Sequence, residues 1–248
     1  MNARARLVLI AAALSLTALS ASAAAPGGTG PREGLAAFRT LAPLGIGVDV
    51  EWMRRPVVFD DGARARLDAD AVSAVFTADP ARWLQLFAST GQHRGALAGA
   101  RGRDRESRWS VGLSARAWHL DVNDPLFMAG RLSLGGTFEF SRTDFATRAD
   151  EGHWDERFVS LVFAYEIFVE APDALDRVPY SLRLYAGPVH STIRGEVENG
   201  GVTRSFEEDR ATGATWGVEL FISHNLSVGF HGQHYDADTY RASLRYRF

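Results

Sequence analysis

The chain contains no cysteine among its 248 residues, which excludes disulfides and any lipid anchor attached through cysteine. It contains no lysine either, so all 27 basic side chains are arginines. With 30 acidic residues the net charge is −3, and such mild acidity does not support nucleic-acid binding, which uses a basic face. After the first two dozen residues, no apolar run reaches the roughly 20 residues that a membrane-spanning helix needs.

The amino end has the composition of a secretory signal peptide. Arg4 and Arg6 precede an apolar stretch from Leu7 to Leu19, and Ala21–Ala23 provide a cleavage site of small residues. A retained helical anchor is the alternative, but the apolar stretch is short for spanning a membrane. Cleavage would remove two arginines and change the net charge from −3 to −5.

From Leu44 onward, apolar and polar residues alternate with a period of two, which predicts β-strands with two different faces. The pattern is clearest at the carboxyl end. There, one face carries Tyr240, Ala242, Leu244, Tyr246 and Phe248, and the other carries Arg241, Ser243, Arg245 and Arg247. An apolar face can pack on a soluble core or meet lipid, so the alternation alone leaves both possibilities open.

About ten such segments follow one another, although eight or twelve strands remain possible. The segments of polar sequence at Thr90–Glu106, Thr143–Glu156 and Arg194–Asp209 are predicted to be long loops, and they alternate with short turns. That asymmetry is typical of transmembrane barrels. The fold class predicted is therefore all-β, a transmembrane antiparallel up-and-down β-barrel. A soluble β-sandwich is the alternative, but it would not explain the loop asymmetry.

The export signal, the hairpin pattern and the terminal aromatic strand together resemble the small bacterial outer-membrane β-barrel superfamily, which includes OmpA-like and related barrels of eight to ten strands. The resemblance covers Leu44 to Phe248. It implies a signal peptide at 1–23, a periplasmic leader at 24–43 and a barrel at 44–248. It also implies a location in the Gram-negative outer membrane with both termini in the periplasm, as an even number of strands requires.

The resemblance further implies partners and an assembly signal. Tyr246 and Phe248 are expected to be recognised by the barrel assembly machinery. Lipid and lipopolysaccharide of the outer membrane are the expected surroundings of a monomer, without cofactor, metal or nucleic acid.

Charged residues on the inward side of the strands are expected to form a lattice of ion pairs in the lumen. An isolated charge there would cost several kcal/mol, so acids and arginines should pair. The predicted members are Glu51, Arg116, Arg131, Glu139, Glu166, Arg183, Glu219, Arg241 and Arg245.

Five arginines close together in the sequence are candidates for contact with lipopolysaccharide, because arginine binds phosphate well. They are Arg94, Arg101, Arg103, Arg105 and Arg108, which are predicted to lie in one external loop. A solvated loop is the equally weighted alternative. The acidic segment Arg194–Asp209 could pair with this loop, bind a cation or simply be solvated.

No catalytic constellation is evident in the sequence. His190 and Ser191 are neighbours, but neighbours on a strand point to opposite faces and cannot act as base and nucleophile. His231 and His234 also face opposite ways, which makes them a poor metal pair, and hydrogen bonding in the lumen is expected for His231. The omptin proteases are ten-stranded barrels with an acid pair and an Asp/His pair. Asp68 and Asp70 match the acid pair in spacing alone.

The sequence therefore favours a non-enzymatic role in envelope structure, surface contact or narrow passage. A barrel enzyme that acts on lipid or peptide at the outer rim is the alternative. A wide porin is disfavoured, because side chains fill most of the lumen of a barrel this small. Trp118 does not fit the alternation of apolar residues on the outward face, since its position in the sequence places it on the inward side unless a bulge intervenes.

Overall fold

The computed structural model describes residues 44–81, 83–97, 100–101, 106–122, 130–146, 150–169, 180–199, 201–222, 225–236 and 238–248. The predicted signal peptide and leader, residues 1–43, lie outside these segments. Within the segments described, no helix is long and apolar enough to cross a membrane.

The described residues form twelve β-strands, and every strand pairing is antiparallel. The strands are β1 (Leu44–Phe59), β2 (Arg64–Ala81), β3 (Leu84–Leu97), β4 (Ala100–Arg101), β5 (Glu106–Val122), β6 (Gly130–Ala146), β7 (Asp150–Val169), β8 (Tyr180–Asn199), β9 (Val202–Glu208), β10 (Thr212–Phe221), β11 (Leu226–His234) and β12 (Asp238–Arg247).

Ten of these strands close into a barrel. β1 pairs with both β2 and β12, and β8 pairs with β10, so the ring contains every strand described except β4 and β9. Gly45 faces Arg247 where the first strand meets the last. Both ends of the described chain therefore lie at one rim, which we call the lower rim. The predicted antiparallel up-and-down barrel of about ten strands is confirmed.

The barrel changes its construction along its axis. β10, β11 and β12 have 10, 9 and 10 residues, whereas β7 and β8 have 20 each. Beyond the upper ends of these three short strands, β9 pairs with the upper part of β8 on one side and with Val57–Phe59 of β1 on the other. One strand thus replaces three. We call the ten-stranded part the lower half and the part closed by β9 the upper half.

The two faces of the lower half have opposite chemistry. On β1, the outward residues Leu44, Ile46, Val48 and Trp52 are exposed, whereas the inward residue Glu51 is buried. The same outward belt of exposed apolar residues continues on the other strands, for example at Val72, Phe76, Leu86, Val111, Leu113, Phe138, Val159, Leu161, Phe163, Leu184, Leu220, Val228 and Phe230. An apolar outside and a polar inside are the pattern of a barrel surrounded by lipid.

The upper half reverses this chemistry on the same strands. Continuing along β1, the outward Arg54 has a side chain that is 73% exposed, while the inward Val57 is fully buried. Inward residues of seven strands form one apolar cluster, which consists of Met53, Val57, Phe59, Leu67, Ala69, Leu97, Phe145, Trp154, Ile193, Val197 and Phe206. The upper half therefore has an apolar core and a polar exterior, as a protein in water does.

The prediction of long loops is wrong over much of their length, because the upper half is built of strands. Much of Thr90–Glu106, Thr143–Glu156 and Arg194–Asp209 is strand: β3 continues to Leu97, β7 begins at Asp150, and β8 continues to Asn199. Polar residues on the outward face of the upper strands made these stretches resemble solvated loops in the sequence. The upper turns that the structure describes are short. Gly62 and Gly201 have φ values of 80° and 83° in the β1–β2 and β8–β9 turns, which is a conformation that favours glycine.

A β-bulge explains Trp118. The register between β5 and β6 shifts between Arg116 and Trp118, and the extra residue turns the following side chains to the opposite face. Trp118 consequently lies on the outside with 48% of its surface exposed. A second shift, between Ala78 and Ala81, lies near the lower end of β2, which continues to Ala81.

Candidate functional site

The centre of the lumen in the lower half holds a buried ionic network around Glu51. Nη1 of Arg108 lies 2.5 Å from Oε1 of Glu51, and Nη2 of Arg241 lies 2.6 Å from Oε2. The guanidinium of Arg241 also lies 3.5 Å from Glu139. Because β6 and β12 are on opposite sides of the ten-stranded ring, the network crosses the lumen. We name Glu51, Arg108, Glu139 and Arg241 the central network.

Further ion pairs lie towards the lower rim. Nη1 of Arg245 is 2.5 Å from Oδ1 of Asp49, and Nη2 of Arg247 is 2.5 Å from Oδ2 of Asp79. Gln85 donates a hydrogen bond of 3.0 Å to the other carboxylate oxygen of Asp79. The guanidinium groups of the last strand thus hold β12 to carboxylates of β1 and β2.

Five charged residues of alternating sign face one another across adjacent strands. In register they are Asp121, Arg131, Glu166, Arg183 and Glu219. Arg131 is 2.6 Å from Asp121, and serine hydroxyls donate to the two glutamates at 2.7 and 2.9 Å. Opposite charges on neighbouring strands attract, so this row stabilises the strand register.

His231 is a hydrogen-bonded residue of the lumen, as expected. Its Nδ1 lies 3.0 Å from the hydroxyl of Tyr185, and its Nε2 lies 3.0 Å from the side-chain amide nitrogen of Gln233. Both ring nitrogens therefore have protein partners. A cavity of about 50 Å³ lies beside this group, and two of about 10 Å³ adjoin the central network. Since one water needs about 10–15 Å³, each has room for one or a few waters.

A second charged cluster lies at the junction of the two halves. The guanidinium of Arg55 stacks on the ring of Tyr235 at 3.6 Å and forms an ion pair with Glu208 of β9. Glu156 lies 4.0 Å from Arg55 and accepts a hydrogen bond of 2.8 Å from Ser191. Burial raises the pKa of Glu208 to about 7, although Arg55 acts in the opposite direction and Glu156 adds to the increase. The pair attaches β9 to the barrel wall.

The structure brings most of the predicted lattice residues into the lumen. Seven are buried, namely Glu51, Arg131, Glu139, Glu166, Arg183, Glu219 and Arg245, while Arg116 and Arg241 are partly buried. The sequence did not identify Arg108, Asp49, Arg55, Asp79, Glu208 or Arg247 as members. Asp49 and Arg247 have the inward alternation and could have been found by it. Arg55 and Glu208 could not, because their pairing depends on β9 returning to β1.

The five candidate arginines for lipopolysaccharide do not form one loop. Arg108 is a correction: it lies in β5, is 9% exposed and points into the lumen towards Glu51. Arg94 is exposed on the outward face of β3, and Arg101 belongs to β4. Arg103 and Arg105 lie outside the described residues.

The candidate catalytic residues, which lie near the junction of the two halves, are dispersed. His190 points outward and Ser191 inward, as the alternation predicted. His234 is 2.8 Å from Asp238, but the exposed pair lies on β11 and β12. Asp68 is on β2, beyond Arg54 of β1. With strands about 4.8 Å apart, the histidine and the acid pair are on the order of 14 Å apart, too far to share a proton.

Tyr246 and Phe248 lie beside each other at the lower rim. Their rings are 5.6 Å apart in an edge-to-face arrangement, and Phe248 is 54% exposed. Its backbone N–H donates a hydrogen bond of 2.8 Å to the carbonyl of Leu44. Their role as an assembly signal remains a prediction.

No protein-family model matches the chain, and no curated protein matches it. Solved structures that are similar include the outer membrane protease OmpT from Escherichia coli, with 14% identity and a TM-score of 0.43 over 84% of this chain and 96% of that one. The transport unit of the autotransporter AIDA-I from Escherichia coli has 11% identity and a TM-score of 0.40 over 97% of each chain. The translocator domain of NalP from Neisseria meningitidis has 11% identity and a TM-score of 0.33, over 87% of this chain and 91% of that one.

These structures are outer-membrane proteins with different activities, and their likeness to this chain is too low to support an argument about function. The architecture described above rests on the chain's own strand pairing and outward belt. At the level of the fold, that architecture agrees with the resemblance to outer-membrane β-barrels drawn from the sequence.

Proposed function

We propose that this protein is a closed outer-membrane β-barrel that acts without catalysis, as a structural element of the envelope with a rigid extension above the membrane. The lower half would span the bilayer with both chain ends in the periplasm. The upper half would stand in water outside the cell. Lipid and lipopolysaccharide would surround a monomer, and the barrel assembly machinery would insert it.

The observation that carries this proposal is the reversal of sidedness between the halves. Nine residues of β1, from Leu44 to Trp52, alternate with their apolar side outward, which matches the roughly 9–11 tilted residues that cross a bilayer. Immediately above them, Arg54 is exposed and Val57 is buried. A barrel surrounded by one solvent along its whole length would keep its apolar residues on the same face of each strand.

Closure of the lumen is supported in both halves. The central network joins opposite walls of the lower half through buried ion pairs. Above it, the apolar cluster fills the interior of the upper half. A hydrated ion would have to break the first and cross the second, and each step is costly.

A barrel enzyme is the less favoured alternative. An acid/base site requires its groups within hydrogen-bond reach of a shared substrate atom. In the described residues, the His234–Asp238 pair and the Asp68–Asp70 pair are separated by Arg54.

Reconstitution into planar bilayers tests the closed lumen. The unmodified protein should show no steady conductance, whereas Glu51→Gln should show a leak, because it leaves Arg108 and Arg241 without their shared carboxylate. Glu207→Gln, on the outward face of β9, is the matched control and should remain closed. A large and stable conductance of the unmodified protein would overturn the proposal.

Membrane fractionation with an unboiled gel shift tests the proposed location in the outer membrane, and recovery from the soluble periplasm would contradict that location.

A further inference from the structure

Three arginines converge on the outward face of the barrel directly above the apolar belt. Arg142 of β6 and Arg194 of β8 both face Asp155 of β7 across the sheet. Arg157 lies two residues from Asp155 on the same face of β7, diagonal to both other arginines. Diagonal neighbours of this kind are about 7–8 Å apart, within reach of long side chains.

Among the residues described, ion pairs engage only Arg142 of this group. Arg142 is 3.6 Å from Asp155 and 3.9 Å from Asp144, distances at the long end for ion pairs. Arg157 and Arg194 are exposed and have no acid within ion-pair distance among the described residues, although Glu207 faces Arg194 across β9. Asp155 lies among the three guanidinium groups, and Asp144 and Glu207 lie at the edges of the group. Because Arg157 and Arg194 form no close ion pair with the described acids, their guanidinium groups are available to bind an anion.

The position of the arginines identifies the region of the bilayer that they would meet. Phe140 is the cross-strand neighbour of Arg157, and its ring packs 5.6 Å from that of Trp109, which is the neighbour of Arg142. Aromatic residues of this kind mark the interface between lipid and water. Val159 and Leu161, the next outward residues of β7, are 47% exposed and belong to the belt. The arginines are therefore at the height of lipid headgroups.

We propose that Arg142, Arg157 and Arg194 form a binding site for a phosphate group of an outer-leaflet glycolipid, whose acyl chains would lie against Phe138, Val159 and Leu161. Guanidinium groups bind phosphate through paired, charge-assisted hydrogen bonds. The site differs from the loop arginines that the sequence suggested, and it was not visible there because its members are separated by 15 and 37 residues. The inference rests on the proposed insertion in the outer membrane but not on a closed lumen.

The test measures binding of lipid A to the purified barrel in detergent. R142Q/R157Q/R194Q should bind on the order of 100-fold more weakly, from about fivefold per arginine near an anionic surface. R54Q/R64Q/R66Q is the control, because it removes the same charge from outward arginines of β1 and β2. It should bind as the unmodified protein does. Heat-modifiable gel mobility verifies that both variants are folded, and single arginine variants replace the triple one if it is not.

Two further arms separate the sources of phosphate. Lipid A stripped of its phosphates should lose most of the affinity, and millimolar inorganic phosphate should compete only weakly, because it lacks the acyl chains. Equal weakening in both triple variants, or unchanged binding in R142Q/R157Q/R194Q, would overturn the site. Full competition by inorganic phosphate would overturn its assignment to a lipid. A conducting lumen would refute the closed barrel and leave this result unaffected.

Discussion

The lower and upper halves of this barrel share most of their strands but have opposite chemistry. In the lower half, buried residues such as Glu51, Arg131 and Glu219 are charged, while leucine and phenylalanine cover the outside. In the upper half, Val57, Trp154 and Ile193 are buried, and arginine and aspartate cover the outside. The period of two is retained throughout, so the change lies in the surroundings: lipid below and water above.

The halves also differ in what holds them together. The outward side chains of the lower half contact lipid, which is as apolar as a protein core, so burying them inside the protein would add little stability. Ion pairs across the lumen and hydrogen bonds between strands hold this half together instead. The upper half gains stability as a soluble protein does, by removing apolar side chains from water, at roughly 1.5–3 kcal/mol for each large residue. Adding a charge should therefore destabilise the interior of the upper half, whereas removing a charge should destabilise the interior of the lower half.

The largest effect is expected from a charge placed in the upper core. Val57→Asp would bury a carboxylate among apolar side chains at a fully buried position, and we expect it to cost about 4 kcal/mol or more. Urea unfolding in detergent, followed by tryptophan fluorescence, measures the change. Val58→Asp, its outward neighbour, is the control and should be nearly neutral. Similar losses in both variants would contradict the apolar core.

The reverse experiment belongs in the lower half, where removing a charge should destabilise the barrel. Glu51→Gln leaves the buried Arg108 and the partly buried Arg241 without their shared carboxylate, at a cost of about 3–5 kcal/mol. The same unfolding measurement tests it, with Asp61→Asn as the control. Asp61 pairs with Arg204 at the solvent-exposed upper turn, where an ion pair contributes little. A barrel unaffected by loss of Glu51 would show that the central network does not stabilise it.

The sequence predicted the lower half better than the upper half for a physical reason. Lipid requires apolar outward residues, so the alternation around Trp109, Phe138 and Leu220 was readable, and the ten strands followed from it. In the upper half, polar outward residues resembled loops, and the apolar partners inside were too widely spaced in sequence to be seen as a core. Phe59 and Phe206, whose rings are 5.9 Å apart, illustrate this.

For the candidate sites, the sequence located charged residues of the lumen but not the pairs that they form. Inward parity located Glu139, Arg241 and seven other charges, because parity is a local property. Which charge pairs with which is a property of the closed ring, and so the partnership of Arg108 with Glu51 could not be predicted. Parity also signalled the problem at Trp118, and the bulge that resolves it became evident only from the pairing of β5 with β6.

A smaller effect is expected on the outside, where the two halves should respond differently to the same new charge. Leu161→Arg places a guanidinium in the apolar belt, at a position that is 47% exposed, and should cost about 2–4 kcal/mol in a lipid environment. His153→Arg, on the outward face of the same strand in the upper half, should cost little. Unfolding of both variants in lipid vesicles provides the comparison, and equal effects would place both positions in the same solvent.

The smallest effect concerns the junction, where Glu208 attaches β9 to the barrel. Its folded-state pKa of about 7 lies above its ordinary value of 4.5, so between these values the folded barrel retains a proton that the unfolded chain has released. Stability should therefore fall as the pH rises from about 4.5 to about 7. Glu208→Gln, which resembles the protonated form, should remove this part of the slope. Glu207→Gln on the outward face should retain it, and unfolding free energies measured at half-unit pH steps distinguish the two. If both variants have the slope of the unmodified barrel, the pH dependence does not arise from the group that joins the two halves.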